Sequence, residues 1–528
     1  MMRGLKRTVS ASNEKKTRQT SDSQGLSERE RKRQQEAKEA RRSSILYGTI
    51  GAICVLVAAF LVIWNTGLIQ RNATAVTIHG VKYTAADTQY YFNTTRLGIL
   101  NFYYSNLGML PFDTSTSTKD QVYDSSSGQT WYDYLMEQTL NTMSLYASAL
   151  DKVQEEGYTI SESSQEELDA ALASLDTAWE STTYTSRDAY IRANYGPYMT
   201  YDRLVDLYSD AYLAQDYLNH VQDSFTYTDE DYEAYYQENA DALDTFTITQ
   251  FTLQAKVNTT DEEGNTIEMT DEEKAAALEE AKTSAKALAE EIQGKLQAGE
   301  DAQTLADTYD EQLYSSSVSQ SQTGSSVNSS YSEWVYDSAR QSGDLTIQEY
   351  DAGSDSYYYY VLRFEGRERD DTPTNDVRHI LIAPETDEGS TEATEEQKAA
   401  AKAKAEELLE QWKSGEATED SFAALAETES ADTSSAVNGG LISGITPTSS
   451  YVESFRDWAV DPARTAGDTG IVESDYGYHI MYYVGQGLPV WQSTAQSALL
   501  SQDYSDWKTA ATEDYTPSTG FGLAFLQV

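Results

Sequence analysis

Cysteine is almost absent from this chain, and histidine is scarce. The 528 residues include one cysteine, Cys54, and four histidines. One cysteine excludes an intramolecular disulfide, and because Cys54 lies in an apolar segment, the rest of the chain has no thiol nucleophile and no cysteine ligand. The four dispersed histidines have no zinc-type spacing, and no glycine-rich phosphate loop precedes a helix. We therefore expect no metal and no other cofactor.

Positive charge is also scarce, and a third of it lies at one end of the chain. The sequence holds 38 Lys and Arg against 86 Asp and Glu, a net charge of −48. Residues 1–44 carry 13 basic and 6 acidic residues, a net of +7, so residues 45–528 carry −55. A surface this acidic repels the phosphates of nucleic acids, and we therefore expect no DNA or RNA partner.

The segment that follows the basic tail has no charge. No charged residue occurs from Ser43 to Gln70, and Ile45–Trp64 is apolar almost throughout. A helix of that length crosses a bilayer core of roughly 30 Å. Because basic residues precede it and the acidic body follows it, we predict one transmembrane helix, residues 45–69, with a cytoplasmic tail, residues 1–44, and an extracytoplasmic body. The tail is expected to be disordered or to lie on the membrane surface.

Two alternatives to an uncleaved membrane anchor are weaker. A cleaved signal peptide is disfavoured by the 44-residue leader and by the lack of a small-x-small site directly after the apolar run. A lipoprotein would have a small residue just before Cys54, where this sequence has Ile53. We therefore predict a single-pass protein of the cell membrane.

The next region, residues 70–243, has the pattern of a strand pair followed by helices. Two apolar runs flank His79-Gly80, so this histidine is better interpreted as a turn residue than as a ligand. The motif Thr84-Ala85-Ala86-Asp87 is typical of a helix-capping box. Further helices are predicted at Trp131–Glu156, Ser164–Leu175, Ser186–Asn194, Thr200–Asp223 and after a second capping box at Thr228. The many tyrosines here favour core packing or an open surface for unfolded segments.

The most specific pattern lies between Val377 and Gly485. It contains, in order, RHILI at 378–382, an Ala/Glu/Lys helix, Phe-Ala-x-Leu-Ala at 422–426, a Gly-Gly pair at 439–440 and YGYHI at 476–480. This order of motifs resembles the parvulin-type peptidyl-prolyl isomerase domain of PrsA-like and SurA-like foldases from bacterial envelopes. One departure is that the family usually continues Gly-Gly with Asp-Leu-Gly, whereas this chain continues with Leu-Ile-Ser.

The resemblance implies a set of catalytic residues. His379 and His479 would be the paired histidines on adjacent central strands, and Asp432 would lie near the substrate carbonyl. Thr433 is the alternative to Asp432, because the loop length leaves the register open. A histidine in an apolar strand is otherwise usually a hydrogen-bonded core residue, so the pairing of two is the feature that favours an active site.

The resemblance also implies a proline pocket. Phe455 would form its floor, with Tyr451 beside it, Ile442 or Leu441 as a wall, and Ser474 as a small hydroxyl residue next to the histidines. Prolyl isomerisation breaks no covalent bond. It needs an apolar pocket and polar groups that favour the twisted amide over the planar one.

Residues 244–368 repeat this pattern in a weaker form. The segment Trp334–Asp344 matches Trp458–Asp468, and an Ala/Glu/Lys helix precedes each segment. Aligned in this way, the two histidines are replaced by Gln250 and Tyr359, and no residue before the matched tryptophan supplies an obvious aromatic floor. We therefore predict that the first copy folds as a parvulin-like domain but does not isomerise proline.

The sequence as a whole predicts an α+β fold class with one transmembrane helix. The first large domain resembles the mostly helical chaperone domain of SurA-like proteins, in which a C-terminal helix packs on the N-terminal domain. The predicted regions are the basic tail 1–44, the transmembrane helix 45–69, the chaperone-like domain 70–243, the degenerate parvulin-like domain 244–368, the isomerase domain 374–487, and the C-terminal helix and tail 488–528.

Two functions are compatible with this organisation. The first is a membrane-anchored extracytoplasmic foldase, a parvulin-type isomerase and chaperone whose partners are unfolded or newly secreted polypeptides with X–Pro bonds. The alternative is a chaperone or scaffold that binds polypeptides without catalysis, which the altered Gly-Gly-Leu loop favours. An adhesin or wall-binding protein would need sorting or wall-binding repeats, and the sequence has none.

Overall fold

The computed structural model describes residues 28–65, 67–260, 267–353, 356–386 and 392–527. Contacts divide the chain into two compact units. The first unit comprises Met1–Ser224 with Ser505–Val528, and the second comprises Phe225–Tyr504. Helices and small antiparallel sheets occur in both units, so the protein is of the mixed helix-and-sheet class.

The first helix, α1 (Glu28–Asn65), runs without a break from the basic segment into the apolar one. Within the described residues, it is the one helix long and apolar enough to cross a membrane. Its apolar side chains are exposed, Val55 at 68% and Leu56 at 70%. Of the two alternatives for the tail, disorder is wrong for the residues from Glu28 onward, because Glu, Arg, Lys, Gln and Ala are strong helix formers. A position of the tail on the membrane surface stays a prediction. Residues 1–27 of that tail lie outside the described residues.

Capping motifs and apolar periodicity predicted the first strand pair and the long helices of the first unit, but not Leu68–Asn72, Val122–Asp124 or Gln129–Thr130. Its elements up to residue 224 are α2 (Leu68–Asn72), β1 (Thr74–Ile78), β2 (Val81–Thr84), α3 (Ala85–Leu107), β3 (Val122–Asp124), β4 (Gln129–Thr130), α4 (Trp131–Glu156), α5 (Glu162–Thr177), α6 (Arg187–Tyr195) and α7 (Tyr201–Ser224). The predicted capping box is present, since Thr84 and Asp87 exchange hydrogen bonds between side chain and backbone. His79 lies in the predicted turn with φ 47°.

The second unit contains two four-stranded sheets. Its elements are α8 (Asp229–Leu243), β5 (Thr245–Lys256), α9 (Asp271–Gln297), α10 (Ala302–Tyr309), β6 (Ser315–Thr323), α11 (Ser332–Tyr336), β7 (Leu345–Asp351), β8 (Ser356–Glu368), β9 (Pro373–Ile382), α12 (Glu395–Ser414), α13 (Glu419–Glu429), α14 (Thr433–Ala436), β10 (Leu441–Ile445), α15 (Glu453–Ala459), β11 (Thr469–Ser474) and β12 (Gly477–Pro489). The strand orders, β6-β5-β8-β7 and β10-β9-β12-β11, correspond one to one.

The sequence repeat is also a structural repeat. In the first copy Arg340 packs over the ring of Trp334 at 4.9 Å, and in the second Arg464 packs over Trp458 at 4.2 Å. Each arginine pairs with an aspartate three residues before it. The glycines of the two turns, Gly343 and Gly467, both have a positive φ. Each donates its N–H at 2.8 Å to a carbonyl of the neighbouring strand, β8 in the first copy and β12 in the second. The matched residues therefore form the same turn in both copies.

The C-terminal residues complete the first unit. The last helix, α16 (Val490–Thr512), ends there, and β13 (Ser518–Thr519) pairs with β1. Ser148 Oγ donates to the carbonyl of Ala511 at 2.7 Å. The division into units falls at Ser224, so helix α8, which the sequence grouped with residues 70–243, lies in the second unit.

Candidate active site

Two antiparallel strands bring two histidines to one face of the second sheet. Ile380 of β9 lies opposite Ile480 of β12, and both isoleucines pack against α12 and α13. His379 and His479 each precede one of these isoleucines, and side chains alternate along a strand. Both imidazole rings therefore project from the other face, where their centroids lie 5.3 Å apart.

A chain of hydrogen bonds runs through both rings. Nδ1 of His379 lies 3.2 Å from Nδ1 of His479. The remaining nitrogen of His379, Nε2, lies 2.9 Å from Oδ2 of Asp432, and Nε2 of His479 lies 2.7 Å from Oγ of Ser474. The histidines are 3% and 5% exposed, so every ring nitrogen is satisfied inside the protein.

The environment sets the charge of each group. Burial lowers the pKa of His379, although the nearby carboxylate of Asp432 opposes that shift. Burial and the proximity of His379 lower the pKa of His479 to about 4. Burial alone would raise the pKa of Asp432, but hydrogen bonds from Ser434, Ser435 and His379 outweigh it and hold that pKa well below its usual range. At neutral pH both imidazoles are neutral and the carboxyl group is ionised.

These charges fix the direction of the hydrogen bonds. An ionised carboxylate only accepts, so His379 donates to Asp432 from Nε2 and has an unprotonated Nδ1. His479 must then donate from its own Nδ1, which leaves its Nε2 as the acceptor for the hydroxyl of Ser474. The network has one direction, from Ser474 through both rings to the carboxylate.

Asp432 is held at the start of α14. Its Oδ2 accepts from the hydroxyl of Ser435 at 2.6 Å, and Oγ of Ser435 lies 3.0 Å from Nε2 of His379. The structure brings Asp432, and not Thr433, to the histidine, which resolves the register that the sequence left open. Ser435 is buried and was not among the predicted site residues. Its signal in the sequence is the Asp-x-x-Ser spacing of a helix N-cap.

The Gly-Gly pair holds the loop that contains Asp432 against β9, the strand of His379. Gly439 and Gly440 have φ of 63° and 71°, which side-chain-bearing residues rarely adopt. A Cβ atom on Gly440 would lie 2.2 Å from the carbonyl oxygen of His379, and the N–H of His379 donates to the carbonyl of Gly440 at 2.8 Å. Leu441, where the family usually has aspartate, begins β10. The Gly-Gly pair directly before it keeps its close approach to β9.

An apolar groove opens over the two histidines. The ring of Phe455 is 2% exposed, and its centroid lies 5.2 Å from that of His379 and 5.3 Å from that of His479. The groove has a volume of about 420 Å³. Ile442, rather than Leu441, lines it, and Tyr451 lies at its rim. Its other lining residues include Leu381, Ala431, Asp432, Ser450, Val452 and Tyr476.

Residues 379–485, which contain this groove and network, match the family of the PPIC-type peptidyl-prolyl isomerase domain, the rotamase family. The chain carries a parvulin-type peptidyl-prolyl isomerase domain. The match covers both histidines, Asp432 and Phe455. The assignment of roles to individual residues remains a prediction.

Solved structures of foldases and chaperones are also similar to this chain. PrsA from Bacillus subtilis has 14% identity and a TM-score of 0.25, with 75% of this chain and 90% of that chain covered. PrsA from Bacillus anthracis has 19% identity and a TM-score of 0.17, with 30% and 63% covered. A structure from a study of the SurA-like chaperones PEB4 and Cj1289 of Campylobacter jejuni has 20% identity and a TM-score of 0.16, with 27% and 53% covered. TM-scores this low carry no weight for function. Among curated proteins there is no match.

The first copy has a different cluster where the isomerase domain has its groove. Gln250 lies on β5 at the place of His379, and its Oε1 accepts from the hydroxyl of Tyr331 at 2.6 Å. The ring of Tyr331 lies 5.2 Å from that of Tyr360. Both tyrosines are buried, at 4% and 7% exposure, and therefore fill this face of the sheet.

Two expectations about the first copy were wrong. Tyr360, not Tyr359, lies at the place of the second isomerase histidine, because Phe251 pairs with Val361 as Ile380 pairs with Ile480. Tyr359 faces the opposite side, toward α9. An aromatic residue does precede the matched tryptophan: Tyr331 stands three residues before Trp334, as Phe455 stands three residues before Trp458.

Proposed function

We propose that this protein is a membrane-anchored extracytoplasmic foldase that isomerises X–Pro bonds in unfolded or newly secreted polypeptides. One observation carries the proposal. In the isomerase domain, the ring of Phe455 lies beside two hydrogen-bonded, neutral histidines in an open apolar groove. Such a groove suits a proline ring and leaves room for the flanking chain.

The groove can catalyse isomerisation without a nucleophile. An X–Pro amide is planar because resonance places negative charge on its oxygen, and the barrier of roughly 18–20 kcal/mol is the loss of that resonance on twisting. Phe455 and Ile442 would hold the proline ring away from water. The ionised Asp432 would repel the charge on the oxygen of the planar amide more than the smaller charge in the twisted state. Both effects favour the twisted amide over the planar one.

The histidines act in this proposal as positioning residues. Their lowered pKa values keep them neutral, so no proton transfer is required of them. They hold Asp432 at the groove wall through one directed set of hydrogen bonds. Removing either ring would leave its buried partner unsatisfied, which lowers stability as well as activity.

The test compares two equivalent substitutions in the full chain. We expect the natural protein to accelerate isomerisation of an X–Pro peptide and Phe455→Ala to lower kcat/KM about 30-fold, since the lost aromatic floor contributes about 2 kcal/mol of transition-state binding. Tyr331→Ala, at the same place in the first copy, should leave kcat/KM unchanged. Circular dichroism checks that both variants fold. Undiminished activity in a folded Phe455→Ala protein contradicts the assigned site.

Support for the membrane anchor comes from α1. Its segment from Ile45 to Trp64 is apolar almost throughout, follows the basic tail and exposes large apolar side chains such as Val55 and Leu56. Protease added outside intact cells should digest the chain after about residue 71 and spare an N-terminal tag. A tag that is cleaved from outside contradicts this topology.

A second candidate function, holding unfolded chains without catalysis, is favoured by an exposed apolar segment in the first unit. Residues 97–112 contain no charged residue. The exposed apolar side chains of this segment are Leu97, Phe102, Tyr104, Leu107, Met109 and Leu110. Many tyrosines, among them Tyr90 and Tyr91, are instead buried in the core of this unit. This segment is thus a better candidate than the tyrosines for contact with unfolded chains.

The two candidates separate in one experiment. Phe102→Ser with Leu107→Ser should reduce the ability of the full chain to slow aggregation of an unfolded model protein and leave isomerase activity unchanged. Phe521→Ser, at another exposed phenylalanine of the same unit, is the control. If Phe455→Ala alone abolishes the holding effect, binding belongs to the isomerase domain.

A further inference from the structure

The isomerase groove has charge of one sign only. Asp432 is ionised and lines it, and none of the described lining residues is Lys or Arg. Asp475 is exposed and lies between Ser474, which contacts His479, and Tyr476, which lines the groove. A substrate side chain in the groove therefore meets negative charge. One cation, Lys398, lines the neighbouring pocket with Asp475 and Tyr476, but it is paired with Glu395.

The rest of the domain does not offset this charge. Residues 374–487 hold 22 Asp and Glu against 7 Lys and Arg, a net charge of −15. Six of the seven basic side chains are paired with carboxylates of the same domain. These pairs are Arg378–Glu419, Lys398–Glu395, Lys404–Glu429, Lys413–Glu410, Arg456–Asp457 and Arg464–Asp461. The seventh, Lys402, lies on α12, which covers the other face of the sheet.

Aromatic rings at the rim add a second attraction for cations. Tyr451 is 42% exposed and Tyr476 is 66% exposed, and both line the groove. The face of an aromatic ring attracts Lys and Arg side chains. Exposed rings beside an acidic groove therefore suit basic side chains, whereas a phosphate or a carboxylate would be repelled.

From the charge and the exposed rings we infer that the isomerase groove selects X–Pro segments with Lys or Arg next to the proline and rejects acidic or phosphorylated ones. This inference rests on the proposed isomerase function and names its substrate class. Attraction by carboxylates that do not touch the substrate is screened by salt, because the Debye length is about 10 Å at 0.1 M and about 3 Å at 1 M. The selectivity should therefore depend on ionic strength, unlike selectivity for shape.

The test uses the full chain and peptides that differ only in the residue before proline: Lys, Arg, Ala, Glu or phosphoserine. We expect kcat/KM for Lys-Pro to exceed that for Glu-Pro about tenfold at low ionic strength and less than about threefold at 1 M salt. Phosphoserine-Pro should be the poorest substrate. No turnover of any peptide overturns the proposed function and this inference together. Turnover of all peptides at equal rates, or preference for Glu-Pro, overturns the inference alone.

Two charge reversals locate the effect. Asp475→Lys should reduce the Lys-Pro to Glu-Pro ratio about threefold. Glu406→Lys makes the same change of net charge on the exposed side of α12 and should leave the ratio within about twofold. A ratio that responds equally to both variants, or to neither, contradicts selection at the groove.

Discussion

The two copies of the second unit share a sheet and a turn, but one face of the sheet differs between them. In the first copy Tyr331 and Tyr360 fill that face, and Gln250 accepts a hydrogen bond from Tyr331. In the second copy the face carries two histidines and an open groove beside Phe455. The strand order and the tryptophan turn are the same in both. The fold is thus compatible with a filled face or an open one, and the chemistry depends on that choice.

The edge strand explains part of the difference. In the second copy, α14 and the Gly-Gly pair precede β10 and hold Asp432 against His379. In the first copy the nine-residue strand β6 pairs directly with β5 and reaches its edge without such a loop. A 3₁₀ turn, Asp310–Gln312, lies there instead of α14. Among the described residues of the first copy, the side chain of Gln250 bonds to Tyr331 and Thr252 and not to a carboxylate. Its buried polar pair is satisfied internally, as buried polar groups generally are.

The largest difference in isomerase activity between equivalent substitutions is expected at the residue of the edge strand that faces each site. Gly440 faces His379 as Ser317 faces Gln250. A methyl group on Gly440 would meet the His379 carbonyl at 2.2 Å, and φ of 71° disfavours any residue other than glycine. We expect Gly440→Ala to lower kcat/KM at least about hundredfold, because displacing a site by roughly 1 Å has that effect. Ser317→Ala should leave kcat/KM for the same X–Pro peptide unchanged. An active, folded Gly440→Ala protein contradicts this geometry.

The next largest effect should follow removal of the carboxylate that only the second copy has. Asp432→Asn keeps an acceptor for His379 but loses the charge at the groove wall. We expect kcat/KM to fall about tenfold, which corresponds to about 1.4 kcal/mol of transition-state stabilisation. Asp420→Asn, on the exposed side of α13, makes the same charge change in the same domain and should leave the rate unchanged. Equal rates in the two variants would show that Asp432 contributes only to structure.

Local motifs made much of this comparison predictable. The bounds of α4, which begins at a capping box, were predicted to the residue, and strong helix formers predicted the presence of α12. The residues of the groove could be named because the family motifs occur in order along the chain. Such signals lie in short stretches of sequence, so they can be recognised without knowledge of the packing.

The features that escaped prediction depend on tertiary contacts. The choice of Tyr359 instead of Tyr360 is an error of one residue in the alignment of the two copies. On a strand, a shift of one residue moves a side chain to the opposite face. Tyr331 was overlooked although it stands three residues before Trp334, as Phe455 does before Trp458; that its ring fills the face of the sheet is evident only from the packing. Ser435 joins the network through an N-cap that becomes visible only once Asp432 is placed.

Acidification should lower the stability of the second copy and not that of the first, and this effect should be smaller than the two above. The pKa of both isomerase histidines is lower in the folded chain than its usual value of 6.5, for His479 about 4. The unfolded chain therefore binds protons first on acidification, so the second copy loses stability between about pH 6.5 and pH 4. Asp432 is ionised in both states over most of that range, because its pKa is lowered in the folded chain, so its contribution is lost only at lower pH. Hydrogen exchange, corrected for intrinsic rates, should show β12 losing protection while β8, in the copy without histidines, does not. Parallel losses in the two strands contradict this assignment.

The smallest effect should be the same in both copies, because the tryptophan turn is shared. Arg340 packs over Trp334 and Arg464 over Trp458, and each arginine also pairs with an aspartate of its turn. Trp→Phe at either position weakens a cation–π contact that contributes about 0.5–1 kcal/mol at a partly exposed site. We expect Trp334→Phe to lower protection in β8 and Trp458→Phe to lower it in β12 by similar amounts, measured by hydrogen exchange of the full chain. Since neither ring lines the groove, isomerase activity should fall less than about twofold. A large loss of activity in Trp458→Phe alone would mean that the turn in the second copy also positions Phe455, three residues before it, and that the turn is not purely a shared element of the fold.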